Sequence, residues 1–238
     1  MLREYSGVVG GEAVTKWWWN LQGDIFLTSS VDKVAHDIVK RADFSHANKL
    51  VFITTASEPK GEKEDLAWQK NDRQKLVDAG FVVSDYTITG KLRDQLRADL
   101  SGFDCIYLSG GDTFYLLEQS QKSDFVSLIR KLVEVEGKTY IGTSAGSIIA
   151  GPRLMDYHQR EGVVLPSRDA YGLVHFTVIP HWGSEGFREK YLGGRIAMIY
   201  TEEQVPLILL TDYQYVHVHN GHIEIVDVRM NETKKTTL

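Results

Sequence analysis

Residues 140–151 read Tyr-Ile-Gly-Thr-Ser-Ala-Gly-Ser-Ile-Ile-Ala-Gly. An apolar pair, Tyr140-Ile141, meets Gly142-Thr143-Ser144-Ala145-Gly146, and a helix-compatible run follows. Strand, sharp turn and helix with a serine at the apex is the order of a nucleophile elbow. Such a turn pinches the backbone, so the positions two before and two after the serine must be small, and Gly142 and Gly146 meet that need. The bend pushes the Ser144 hydroxyl out of the sheet and leaves the Ala145 N–H aimed at whatever the serine attacks. The same string also fits an ordinary Gly-rich turn, so the surrounding chain has to decide.

Upstream of this stretch, strands and helices alternate from Asp24 onward. Ile25-Phe26-Leu27 reads as a strand, and Val31 to Ala42 has helical spacing with Val31, Val34, Ala35, Ile38 and Val39 on one face. Leu50 to Ile53, Phe81 to Val83 and Cys105 to Leu108 read as further strands. Between them lie helical patterns over Glu62 to Ala79, closed by Gly80, and over Leu92 to Leu100. Phe114 to Glu118 and Phe125 to Val135 are helical and lead to Tyr140-Ile141. Several strands are continuous apolar runs, the signature of a parallel sheet covered on both faces. The last third differs. His175 to Ile179 and Val205 to Leu210 read as strands, and Tyr213 to Val218 and Ile223 to Val228 flank Asn220-Gly221, a hairpin signal. The expected fold is α/β, a mostly parallel sheet with helices on both faces and a C-terminal antiparallel hairpin. A single domain over 1–238 is expected, with 1–23 as an atypical arm in which Trp17-Trp18-Trp19 act as packing anchors, and with Asn231 to Leu238 frayed.

The net charge of −5, without a basic block, argues against nucleic acid as a partner. No apolar run is long enough to span a bilayer, and Met1 to Gly7 lacks the apolar core of a signal peptide. The single cysteine, Cys105, sits in an apolar run and reads as a core thiol in a reducing compartment, so the cytoplasm is the expected location.

A nucleophilic serine needs a base, an orienter for the base and donors for an oxyanion. Ser109-Gly110-Gly111-Asp112 follows a strand and precedes a helix, so its glycines can aim backbone N–H groups from the same sheet edge as Ser144. Gly110, Gly111 and Ala145 are thus the candidate oxyanion donors. Of eight histidines, His181 stands just past a strand end, before the polar loop Trp182 to Gly186, and is the candidate base. Asp212 follows the apolar run ending at Leu210 and is the candidate orienting acid. His217 and His219 share one strand face and the turn sets His222 opposite His219, but no carboxylate joins them at ligand spacing. They therefore read as an exposed polar hairpin face, and neither a metal nor a cofactor is expected.

The blocks Phe26-Leu27-Thr28-Ser29-Ser30, Tyr107 to Phe114, Gly142 to Ser147 with Gly151-Pro152, and Ile179-Pro180-His181 resemble the dipeptidase E (aspartyl dipeptidase) and cyanophycinase family of serine peptidases. The resemblance covers roughly residues 24–228. It implies a class I glutamine-amidotransferase-like fold and a serine protease that cuts dipeptides or short peptides, with Ser144 as nucleophile and His181 as base. It places Asp212 where the aspartyl dipeptidases carry glutamate, and Asp156, after the elbow helix, resembles another acid of the family and is the alternative third member. Two departures matter. Asp112 stands where Gly-Gly-Asn is typical, and its carboxylate is expected to point away or cap the following helix. The arginine that holds a substrate aspartate has no secure counterpart, Arg188 and Arg195 being the candidates for substrate binding. An amidase or isopeptidase with the same triad, or a catalytically silent binding member, are the competing functions. A small peptide is the expected partner, no membrane is expected, and a homodimer is the assembly to test.

Overall fold

The computed structural model describes residues 8–9, 12–13, 21–42, 48–60, 66–155, 165–202 and 205–233. The Trp17–Trp19 cluster, His46, Asp156, His158 and the last five residues lie outside that set. Two short strands, β1 (Val8–Val9) and β2 (Glu12–Ala13), pair antiparallel in the N-terminal arm.

The apolar runs form a seven-stranded sheet in the order β11-β10-β3-β7-β6-β4-β5. Its parallel part comprises β3 (Ile25–Thr28), β4 (Lys49–Ile53), β5 (Val82–Tyr86), β6 (Cys105–Leu108) and β7 (Thr139–Thr143). Four of these strands are buried along almost their whole length because residues of both parities have a core to enter. Ile25, Leu27, Val51, Ile53, Ile106, Leu108 and Tyr140 pack on one face with α3 (Arg93–Leu100), α4 (Thr113–Lys122) and α5 (Phe125–Arg130). Phe26, Leu50, Phe52, Cys105, Tyr107 and Ile141 pack on the other with α1 (Val31–Arg41) and Leu76 of α2 (Ala67–Asp78). Side chains alternate across a strand, so two covered faces demand an unbroken apolar run. That pattern made the parallel sheet readable.

The hairpin forms as expected. β10 (Gln214–His219) and β11 (His222–Asp227) pair antiparallel with His219 opposite His222, and β10 also pairs antiparallel with β3. The described part of the second helix begins at Ala67, and the third strand is shifted to Val82–Tyr86. Residues 185–202, read only as loop where they were read at all, are largely helical. Val228–Thr233 is a short helix, so fraying does not begin at Asn231. No described helix is long and apolar enough to cross a membrane.

The element that sequence periodicity did not reveal is a second, two-stranded sheet. Here β8 (Thr177–Ile179) and β9 (Leu207–Leu209) pair in parallel. Two backbone bonds extend the pairing past both strand ends: Leu210 N–H to the Ile179 carbonyl and Trp182 N–H to the Leu210 carbonyl, each 2.9 Å. The segments that follow β8 and β9 therefore leave side by side, carrying His181 and Asp212.

Candidate active site

Ser144 occupies the turn between β7 and α6 (Ala145–Ile148), with φ 51° and ψ −106°. A non-glycine residue there stores roughly 1–3 kcal/mol of strain, which persists only if the surroundings over-determine it. They do. The Ser144 N–H donates to the Thr28 carbonyl at 3.1 Å, and the Ser147 hydroxyl lies within 2.8 Å of the Thr28 and Gly142 carbonyls. The small residues flanking the serine are required by contact. A Cβ on Gly142 would stand 2.5 Å from the Gly146 carbonyl oxygen, and one on Gly146 would stand 2.2 Å from that of Leu108.

The structure brings the three sequence candidates together. The Ser144 hydroxyl lies 3.0 Å from Nε2 of His181, and Nδ1 of His181 lies 2.7 Å from Oδ1 of Asp212. His181 has a positive φ of 60°, set by the tight turn at its strand end, and its ring stacks on Phe187 with centroids 4.0 Å apart. The Asp212 carboxyl is held below the usual carboxylate range, first by its hydrogen bond with His181 and then by one from Ser29, against the burial that acts to raise it. Both hydrogen bonds thus favour its ionised form.

Gly110 and Gly111 follow β6 at the same edge of the sheet. A Cβ on Gly110 would come 3.4 Å from that of Ser144, so this loop passes directly beside the serine. Gly111 has φ 140°, and any side chain there would run into the Ala56 carbonyl. That close approach is locked by the Asp112 N–H, which donates to the Ala56 carbonyl at 2.7 Å. The Asp112 carboxylate caps α4, accepting from the Tyr115 N–H at 2.9 Å, so the departure from Gly-Gly-Asn is absorbed as a helix cap.

Ser29 was quoted in the sequence without a role. It is fully buried just past the end of β3. Its hydroxyl donates to Asp212 Oδ1 at 2.8 Å and accepts the His181 backbone N–H at 2.7 Å. One side chain thus fixes both the acid and the main chain of the imidazole residue. A serine just beyond the carboxyl end of a central strand was the available signal, but it pointed to no particular partner. Ser29→Ala strips a hydrogen bond from the carboxylate and orphans a buried N–H. It is expected to lower kcat by roughly 10- to 100-fold with KM little changed, because only orientation is lost. Steady-state kinetics with a good substrate, beside a melting curve, checks this; an unchanged kcat would remove Ser29 from the site.

The two arginines separate. Arg188 pairs with Glu185 at 3.6 Å and lines a cavity of about 330 Å³ with Trp182, Tyr191, Leu192 and Ile196. Arg195 instead sits with its guanidinium 5.9 Å from the Tyr191 ring centroid.

One expectation is corrected outright. The hairpin histidines are not a solvated face without a carboxylate. His217 is mostly buried and stacks on Phe26, and Asp24 hydrogen-bonds both His217 and His219. The acid comes from the residue before β3, paired through a register that neither segment reveals alone.

Comparison with known proteins places these features in context. The model of peptidase family S51 matches residues 25–226. An uncharacterized peptidase of Listeria monocytogenes is 30% identical over 171 residues, covering 70% of this chain and 81% of its own. A Peptidase E of Shewanella amazonensis is 40% identical over 86 residues, 36% of each chain. The crystal structure of a candidate Peptidase E protein from Listeria monocytogenes superimposes with a TM-score of 0.74 at 26% identity, over 86% of this chain and 98% of the other.

Proposed function

This chain belongs to peptidase family S51, and from that premise we propose that it is a serine peptidase that hydrolyses dipeptides or short peptides through Ser144, His181 and Asp212. The observation that carries this reading is the continuous relay from the Ser144 hydroxyl through both ring nitrogens of His181 to Asp212, at 3.0 Å and 2.7 Å. Its members come from three separate strand ends, β7, β8 and β9.

In this mechanism the Ser144 oxygen attacks the scissile carbonyl carbon as Nε2 of His181 takes the hydroxyl proton. The carbonyl oxygen becomes an oxyanion and accepts hydrogen bonds from the Gly111 and Ala145 N–H groups, with Gly110 leaving room for the substrate. Asp212 keeps the proton on Nδ1 and stabilises the imidazolium. Collapse breaks the C–N bond, and the imidazolium gives its proton to the departing amine. Water then attacks the acyl-serine ester, His181 again accepting and returning the proton, and the acid is released. The reaction is assigned to the cytoplasm, in keeping with a lone, buried cysteine.

A fluorophosphonate probe should label Ser144, and a panel of dipeptides should be turned over. Failure of both would leave a silent member of the family; labelling with turnover only of esters or other amides would indicate a different hydrolase. Within the panel, Asp-Leu and Asn-Leu are expected to be cleaved at rates within about tenfold of each other. They differ in charge and barely in shape, and the exposed Arg188 is already paired with Glu185. A preference for Asp-Leu much larger than that, abolished by Arg188→Ala or Arg195→Ala, would instead establish aspartyl specificity.

A further inference from the structure

At the amino end of β3, the opposite end from Ser29, three potential ligands converge. Asp24 precedes the strand, while His217 and His219 lie on β10. Ile25 pairs with Val218 and Phe26 with His217, so continuing the register sets Asp24 opposite His219. Alternation then directs Asp24, Phe26, His217 and His219 to the same face of the sheet.

We propose that Asp24, His217 and His219 form a binding site for one divalent transition-metal ion of the zinc type, independent of the chemistry assigned to Ser144. Two imidazoles and a carboxylate are the donor set that suits such an ion. Each residue offers one ligand atom, and the three atoms lie within 4.8 Å of one another. In a tetrahedral site with bonds near 2.0–2.2 Å, ligand atoms stand about 3.3 Å apart, so modest side-chain movement closes the set. The framework for that movement exists. His217 is 11% exposed and Asp24 13%, and the His217 ring is held against Phe26 with centroids 4.3 Å apart. His219 is 55% exposed at the hairpin end, so its ring can shift without disturbing the core. Its other ring nitrogen, Nε2, lies 2.5 Å from the Asn220 side-chain nitrogen, and an amide flip that turns the Asn220 oxygen toward Nε2 would supply the acceptor that a ligating imidazole needs for its remaining N–H. Exposure on the His219 side leaves room for water as the fourth ligand.

The ion would clamp the start of β3 to β10. The far end of β3 bears Ser29, about 16 Å away by strand rise, and β10 begins just after Asp212. The site is therefore structural in position, tying together two strands whose other ends hold the imidazole and its acid.

Tag-free protein stripped with EDTA and titrated with zinc chloride in a calorimeter is expected to bind with a dissociation constant on the order of micromolar or tighter. At a zinc concentration about 100 times that value, the melting temperature should rise by roughly 5 °C or more. Cobalt(II) should give the visible absorption of a nitrogen–oxygen site of low coordination number. Asp24→Asn and His219→Gln should each weaken zinc binding at least about tenfold, while His222→Gln leaves it unchanged. His219 is half exposed, so its variant stays folded even if the Asp24 variant does not. Parent binding weaker than about 100 µM would reduce the cluster to a hydrogen-bonded trio and overturn the proposal. So would tight binding that survives His219→Gln, or that is lost with His222→Gln.

Discussion

Ser144→Ala is expected to lower peptide turnover by about 10⁴-fold or more while the protein stays folded. The hydroxyl is the only part of this side chain that reaches His181, and its removal leaves the oxyanion donors without an attacking atom. Stability should fall by about 1 kcal/mol or less, because the deleted atom is not packed in the core. The turn also provides an internal control. Alanine inherits the unfavourable φ of 51°, whereas glycine adopts it freely. Ser144→Gly should therefore be equally inactive but at least as stable as Ser144→Ala, despite the usual entropic penalty of glycine. Turnover retained within about tenfold in either variant would end the serine-nucleophile reading.

The parts of the molecule differed in how plainly the sequence announced them. The parallel sheet was legible because burial on two faces forces runs such as Cys105 to Leu108 and Leu50 to Ile53 to be apolar at every position. The Ser144 turn was legible because sterics exclude any side chain at Gly142 and Gly146. His181 and Asp212 could be named from their strand ends, but their meeting could not. It depends on the β8–β9 pairing, whose strands are short and separated by a long helical excursion. Glu185 and Gly186 were read as loop and residues 187–194 were not read for secondary structure at all, for a local reason. Gly186, Gly193 and Gly194 lower helical propensity, and the helix there is broken at Gly194, with φ 142°. Ser29 and Asp24 share a further difficulty. Each acts on residues more than 150 positions away, and the register that joins them is a property of the folded sheet alone.

His181→Ala should cost as much turnover as Ser144→Ala, and the double variant should be no worse than either by more than a few fold. A relay works as a unit: once the proton acceptor is gone, the hydroxyl is an ordinary alcohol, and deleting it removes little more. Asp212→Ala should lose less, about 10²- to 10⁴-fold, since an unoriented imidazole still accepts protons part of the time. The same substitutions leave a trace in stability. His181 is the foremost cause of the low Asp212 pKa. A carboxyl depressed by folding contributes stability at neutral pH, and that contribution is lost as the pH falls through and below the ordinary carboxylate range. Removing the imidazole should shrink this component, so the melting temperature of His181→Ala should decline less steeply on acidification than that of the parent. Kinetics and melting curves then test one pair by two routes. If the single losses simply multiply in the double variant, the two side chains do not share one step. If Asp212→Ala is silent, the orienting acid lies elsewhere, and Asp156 is the residue to replace next.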